Sequence, residues 1–192
     1  MPPSLLKEND NMRRFFARIM LRKFSKRYGY DVSYLEYMLK ESPAAFFKFA
    51  PVAKASAHRE VAPIEASFAA KIRGAMAEDC GPCVQLTVDM ALEAGMAKDQ
   101  IEAVVRRDTG AMNMATVLGF NFAEAVLLRS PDQDEQREAV RARWGEKGVI
   151  DLATALQMGR LFPMMKLALG YAKACRRVSL DGRQVDVIKQ AA

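Results

Sequence analysis

The stretch Glu78-Asp79-Cys80-Gly81-Pro82-Cys83-Val84-Gln85-Leu86-Thr87-Val88-Asp89-Met90-Ala91-Leu92-Glu93-Ala94-Gly95 decides how the chain is read. Two cysteines three apart can close a small disulfide ring or remain a dithiol. Pro82 fixes its φ and lacks an N–H, which suits the first turn of a helix. The residues from Cys83 onward read as that helix, with Gly95 as its stop. Cys80 then stands at the helix mouth, where backbone N–H groups and the helix dipole favour a thiolate. The one other cysteine, Cys175, makes no Cys-rich framework, so the pair points to redox chemistry rather than a staple. Structural zinc needs four ligands. The chain offers its three cysteines and the single His58, with no second CxxC, so no metal is expected. The plain alternative is two buried thiols packing as small hydrophobes.

Working outward, the 192 residues suffice for one sizeable core but not for two full domains and a linker. With 51% apolar and 27% charged residues, the composition is that of an ordinary globular protein. Long runs of helix formers predict an all-α protein. Asp181-Gly182 is only a weak hairpin signal, because short apolar residues follow it. No apolar stretch reaches membrane-spanning length, and Met1 to Asp10 has no signal-peptide core, so a cytoplasmic location is expected. There a CxxC pair is kept mostly reduced and cycles.

The punctuation predicts a helix over residues 10–28, ended by Gly29, then a short one from Tyr34 to Leu39 and a third opened by Ser42-Pro43 and closed by Pro51. Pro63 opens a helix from Ile64 to about Glu78, on which Ile64, Phe68, Ile72 and Met76 fall four apart. After the cysteine helix come Gln100 to Arg107, Met112 to Leu128, a charged helix ending near Trp144-Gly145, Val149 to Leu161, and a last helix from Met164 to Val178. The tail from Ser179 is expected to fray or pack on a partner. Residues 1–50 read as a basic helical extension, 51–130 as the core with the CxxC pair, and 131–192 as C-terminal helices packing on it, one domain in all.

A helix ending in CxxC, a helix starting with it, then Ala94-Gly95-Met96 and a new helix near Asp99-Gln100-Ile101 resembles the carboxymuconolactone decarboxylase/AhpD-like superfamily over residues 60–128. The resemblance implies an all-helical bundle assembled as a symmetric homo-oligomer. The AhpD-like branch reduces peroxides or partner disulfides with its two cysteines, as an antioxidant peroxidase; the decarboxylase branch acts on a lactone and lacks the pair. The motif Cys-Gly-Pro-Cys is also that of thioredoxin, but the β-poor sequence argues against that fold. The resemblance further implies Cys83 as the peroxide-reactive thiol and Cys80 as the resolving one, whereas the helix-mouth argument favours attack by Cys80.

The chain departs from the family pattern at two positions. A histidine four residues after the second cysteine is replaced by Thr87, and a glutamate twelve before the first cysteine by Phe68. The usual proton relay is therefore absent. Glu65, one turn before Phe68, is the candidate replacement carboxylate; its plain reading is a helix-start glutamate near Pro63. Thr87 can hydrogen-bond a Cys83 thiolate or, as helix threonines commonly do, bond back to the Cys83 carbonyl. His58, in a loop, is a further candidate base. Glu78 and Asp79 would raise the Cys80 pKa, or else cap the helix. Gln85 and Asp89 lie on other faces and read as structural.

Between Asn11 and Tyr30 stand Arg13, Arg14, Arg18, Arg22, Lys23, Lys26 and Arg27, with no acidic residue, while the rest of the chain is near charge balance. Met12, Phe16, Ile19, Met20 and Phe24 form an apolar stripe, expected to dock on the core or a neighbouring subunit. An anionic membrane surface, nucleic acid or an acidic redox partner are the alternatives for the arginines. Taken together, the expected function is a cysteine-based oxidoreductase with Cys80 and Cys83 as its catalytic pair and Glu65 and Thr87 beside them. It needs no metal or organic cofactor and takes a small peroxide or disulfide, or a redox partner protein. The alternatives are a non-redox decarboxylase-like enzyme and an interaction protein using the basic helix.

Overall fold

Small residues place one helix at the centre of the larger part of the molecule. The computed structural model describes residues 3–172 and 177–188. Among them are eight helices, α1 (Pro3–Tyr28), α2 (Ser33–Glu41), α3 (Pro43–Phe49), α4 (Ile64–Ala77), α5 (Gly81–Glu93), α6 (Lys98–Arg106), α7 (Met114–Leu128) and α8 (Gln133–Ala168), a 3-10 segment (Ala50–Ala57), and strands β1 (Arg177–Leu180) and β2 (Arg183–Asp186). The protein is thus mostly helical. It divides into two compact units, Met1–Ala53 and Lys54–Ala192.

In the larger unit α4 touches α5, α6, α7 and α8. Ala66, Ala69, Ala70, Gly74 and Ala75 are all buried on it, and this lack of bulk lets neighbouring backbones come close. A Cβ on Gly74 would stand 2.6 Å from the Leu156 carbonyl oxygen of α8. A Cβ on Gly159 of α8 would fall on the Lys71 carbonyl and lie 3.2 Å from the Ala75 nitrogen. On one side of α4, Ile72 and Met76 pack with Val84, Val88, Ile101, Val104 and Phe120. On the other, Ala66 and Ala70 pack with Phe122, Val140, Leu152 and Leu156.

Two sequence expectations are corrected after Pro131. The charged helix ends at Gly145 (φ 68°, ψ −170°), as expected, but Val149 to Leu161 and the start of the last helix form one run that passes through the buried Pro163, the two pieces together being α8. The expected helix to Val178 stops at Ala168, and Val178 belongs to β1. Asp181 (φ 56°) and Gly182 (φ 81°) form a two-residue turn with both φ positive, the form that matches the twist of paired strands. Val178 faces Val185 across the antiparallel pair. Val178, Leu180, Val185 and Val187 are buried in the core with α5 and α6, so residues 179–188 pack on the chain's own core. The Ile188 N–H also donates to the Val105 carbonyl at 3.2 Å. Cys175 lies outside the described residues.

In the smaller unit, α1 is ended by Gly29 (φ 58°) and touches α2, which packs on α3. Tyr34, Leu39 and Phe46 are its largest fully buried side chains. Of the apolar stripe expected to dock, Ile19 and Phe24 are half-buried, and the rest lies outside the face through which α1 packs in its own unit. Ala17 and Leu21 are buried there, while Met12, Phe16 and Met20 are exposed.

Candidate functional site: the Cys80–Cys83 corner

The chain reverses direction between α4 and α5 in three residues. Glu78 caps the C-terminus of α4, Asp79 takes a left-handed conformation (φ 50°), and Cys80 is extended (φ −104°, ψ 91°) as the N-cap of α5. The Cys80 carbonyl accepts from the N–H groups of Cys83 (2.9 Å) and Val84 (3.0 Å). Pro82, in the first turn, has no N–H to leave unsatisfied. The helix begins at Gly81, two residues before the expected start. Across this turn Cys80 and Cys83 form a disulfide, with Cα atoms 5.2 Å apart. Both are buried, Cys80 at 0% exposure and Cys83 at 3%.

Cys80, not Glu78, is the N-cap of α5. The Glu78 carboxylate pairs with Arg160 of α8, Nε to Oε1 at 2.5 Å, so a cation balances its charge. Thr87, one turn beyond Cys83, donates its hydroxyl proton to the Cys83 carbonyl at 2.9 Å. That proton is committed to the backbone. Gln85 and Asp89 anchor the C-terminal hairpin. The Gln85 amide donates to Asp89 (2.7 Å) and to the Ser179 carbonyl (2.9 Å), and its oxygen accepts the Ser179 N–H (2.5 Å). A side-chain amide here stands in for a neighbouring strand along β1. Burial raises the Asp89 pKa, partly offset by the Gln85 hydrogen bond.

The other candidates gather at the opposite end of α4. Glu65 is half-buried in its first turn, about 18 Å along the helix axis from Ala77, the last residue before the cysteine corner. Phe68 is half-buried against the core, with the Lys71 ammonium 4.7 Å from its ring centroid. His58 is not beside Cys83; its Nε2 lies 3.4 Å from Oδ1 of Asp151 on α8. Asp151 is the residue that sequence reasoning missed. Its buried carboxylate accepts the N–H groups of Glu60 (3.0 Å), Val61 (2.8 Å) and Ala62 (2.9 Å), fixing the loop that leads into α4. Burial pushes the Asp151 pKa up, but the three backbone donors and His58 outweigh it and leave it below the usual carboxylate value.

Four further charged residues, two of them buried and two half-buried, also went unread. Lys71 is 6% exposed and donates to the Ser56 carbonyl; burial lowers its pKa to about 8. Arg73 and Arg107 both hold the carboxylate of Glu124, joining α4, the end of α6 and α7. A signal for these existed in the sequence. Glu124 in Asn121-Phe122-Ala123-Glu124-Ala125-Val126 and Asp151 in Val149-Ile150-Asp151-Leu152 are lone charges inside apolar runs, where an unpaired charge would be costly.

Among the described residues no three His, Cys, Asp or Glu side chains gather to hold a metal. No described helix is long and apolar enough to cross a membrane. No protein-family model matches the chain, and searches of curated proteins and of solved structures return no match. What the corner itself offers chemically is one two-electron couple, a disulfide that opens to two thiols in the first turn of a helix.

Proposed function

We propose that this chain is a thiol–disulfide oxidoreductase of AhpD-like type, in which Cys80 and Cys83 reduce a small peroxide or a partner disulfide. One observation carries the reading: the two cysteines are bonded to each other across the first turn of α5, with Cys80 at its N-cap. A thiolate formed there is stabilised by the helix N-terminus, and its partner thiol is already within bonding distance. In the peroxide reaction, one thiolate attacks the O–O bond, leaving a sulfenic acid and releasing an alcohol or, from hydrogen peroxide, water. The second thiol attacks that sulfur, expels water and closes the disulfide. A dithiol donor then reopens it by two exchange steps and departs as its own disulfide. The reading includes a homo-oligomer, as the resemblance implies, and assigns no role to Thr87 or Glu65 as base.

The burial of both sulfurs favours a second reading, a disulfide that staples the α4–α5 corner. Peroxide-dependent consumption of dithiothreitol separates the two. The redox reading expects turnover by the native protein and none by the Cys80→Ser or Cys83→Ser variant. The staple reading expects no turnover by any of them and a loss of thermal stability in both variants.

A further inference from the structure

The outward side of α1 changes character halfway along. On a helix turning 100° per residue, Ala17, Leu21 and the half-buried Phe24 share the packed side. Opposite stand Met12 (55% exposed) and Phe15 (59%), and Phe16 (61%) and Met20 (53%) continue the exposed apolar surface round one flank. One turn further on, that same outward side is taken up by Arg22, Lys23, Lys26 and Arg27, all exposed. Arg13, at the edge, lies over the Phe47 ring of α3, its guanidinium carbon 4.4 Å from the centroid. No acidic residue occurs between positions 11 and 30.

We propose that α1 binds an anionic membrane surface, laying its Met12–Phe15–Phe16–Met20 face into the headgroup boundary with the following cations on lipid phosphates and carboxylates. Both halves of the face are then satisfied. Water leaves four large apolar side chains uncovered, which a protein surface normally avoids as a contiguous patch. The phosphates of a nucleic acid would engage the basic half and leave the apolar half bare. A second copy of the segment brings no acidic residue from positions 11–30 to meet the cations. An interfacial helix has this composition: large apolar residues on the lipid side, lysine and arginine beside them. With no described helix fit to cross a bilayer, attachment is to the surface.

The test is co-sedimentation of the full chain with phosphatidylcholine vesicles, with and without phosphatidylserine. Binding is expected only with phosphatidylserine, weakening as salt rises. Replacing Arg22, Lys23 and Lys26 together by Gln should weaken partitioning about a hundredfold. The Phe15→Ser/Phe16→Ser variant, with its charge intact, should lose at least about tenfold. Independently of that variant's folding, Phe16→Trp in a Trp144→Phe background should show blue-shifted indole emission, quenched by brominated acyl chains. The proposal is overturned if phosphatidylserine vesicles do not bind at low salt, or if the introduced indole is not quenched. It is equally overturned by a dimer that dissociates in the Phe15/Phe16 variant without vesicle binding, or by binding of duplex DNA without vesicle binding.

Discussion

Replacing Asp151 by Asn should destabilise the larger unit by about 2–3 kcal/mol at pH 7, and the loss should shrink in acid. The carboxylate accepts three backbone N–H groups at 2.8–3.0 Å and is 1% exposed on its side chain. Hydrogen bonds to a charged acceptor contribute about 1.5–3 kcal/mol, those to a neutral one about 0.5–1.5. An asparagine oxygen at the Oδ2 position keeps the three donors but makes each bond neutral. About 1 kcal/mol per bond is lost, and the losses are not fully additive. The amide nitrogen then meets the Glu60 N–H and His58, where a second acceptor oxygen now sits. Because the folded pKa of Asp151 lies below the ordinary carboxylate value, its contribution is fully present above pH ~4 and fades as pH falls through the folded pKa. Urea unfolding followed by circular dichroism from pH 7 to pH 3 measures both variants. A variant as stable as the native chain at pH 7 would refute the reasoning, as would a gap that stays constant down to pH 3.

Gly159→Ala should cost at least about 1–3 kcal/mol, because its methyl group has only the Lys71 backbone to displace; a lowered melting temperature is the readout. For Lys71, lowered by burial to about 8, the unfolded chain holds the proton more tightly than the folded one. Stability should therefore rise between about pH 8 and pH 10, by no more than about 3 kcal/mol, and Lys71→Met should flatten that rise in urea melts. Gln85→Ala removes both side-chain bonds to Ser179, so amide exchange at Ser179 should speed up about tenfold or more while exchange in α4 is unchanged.

The helices of the larger unit were legible because Pro63, Gly95 and the four-residue spacing on α4 are strong local signals. The hairpin was not: Asp181-Gly182 fits its turn, but Val178 reads as the end of a helix until α5 and α6 provide a surface for it. Which side of α1 packs within its own unit was not legible either. Its outward side is the more apolar one, and periodicity alone does not say which side finds a partner. The cysteine corner was legible from Cys80-Gly81-Pro82-Cys83. The pairing of Glu78 with Arg160, and of His58 with Asp151, depends on how α8 lies along α4, which spacing in the chain does not encode.

The central claim is tested most directly by mass spectrometry of the reduced protein after brief exposure to hydrogen peroxide, read as a time course. The account predicts fast loss of two hydrogens, mapped to a Cys80–Cys83 bond and abolished in either serine variant. Oxidation no faster than that of a free thiol would contradict peroxide reduction. If a disulfide probe also left the pair unreacted, Cys80 and Cys83 would be a staple.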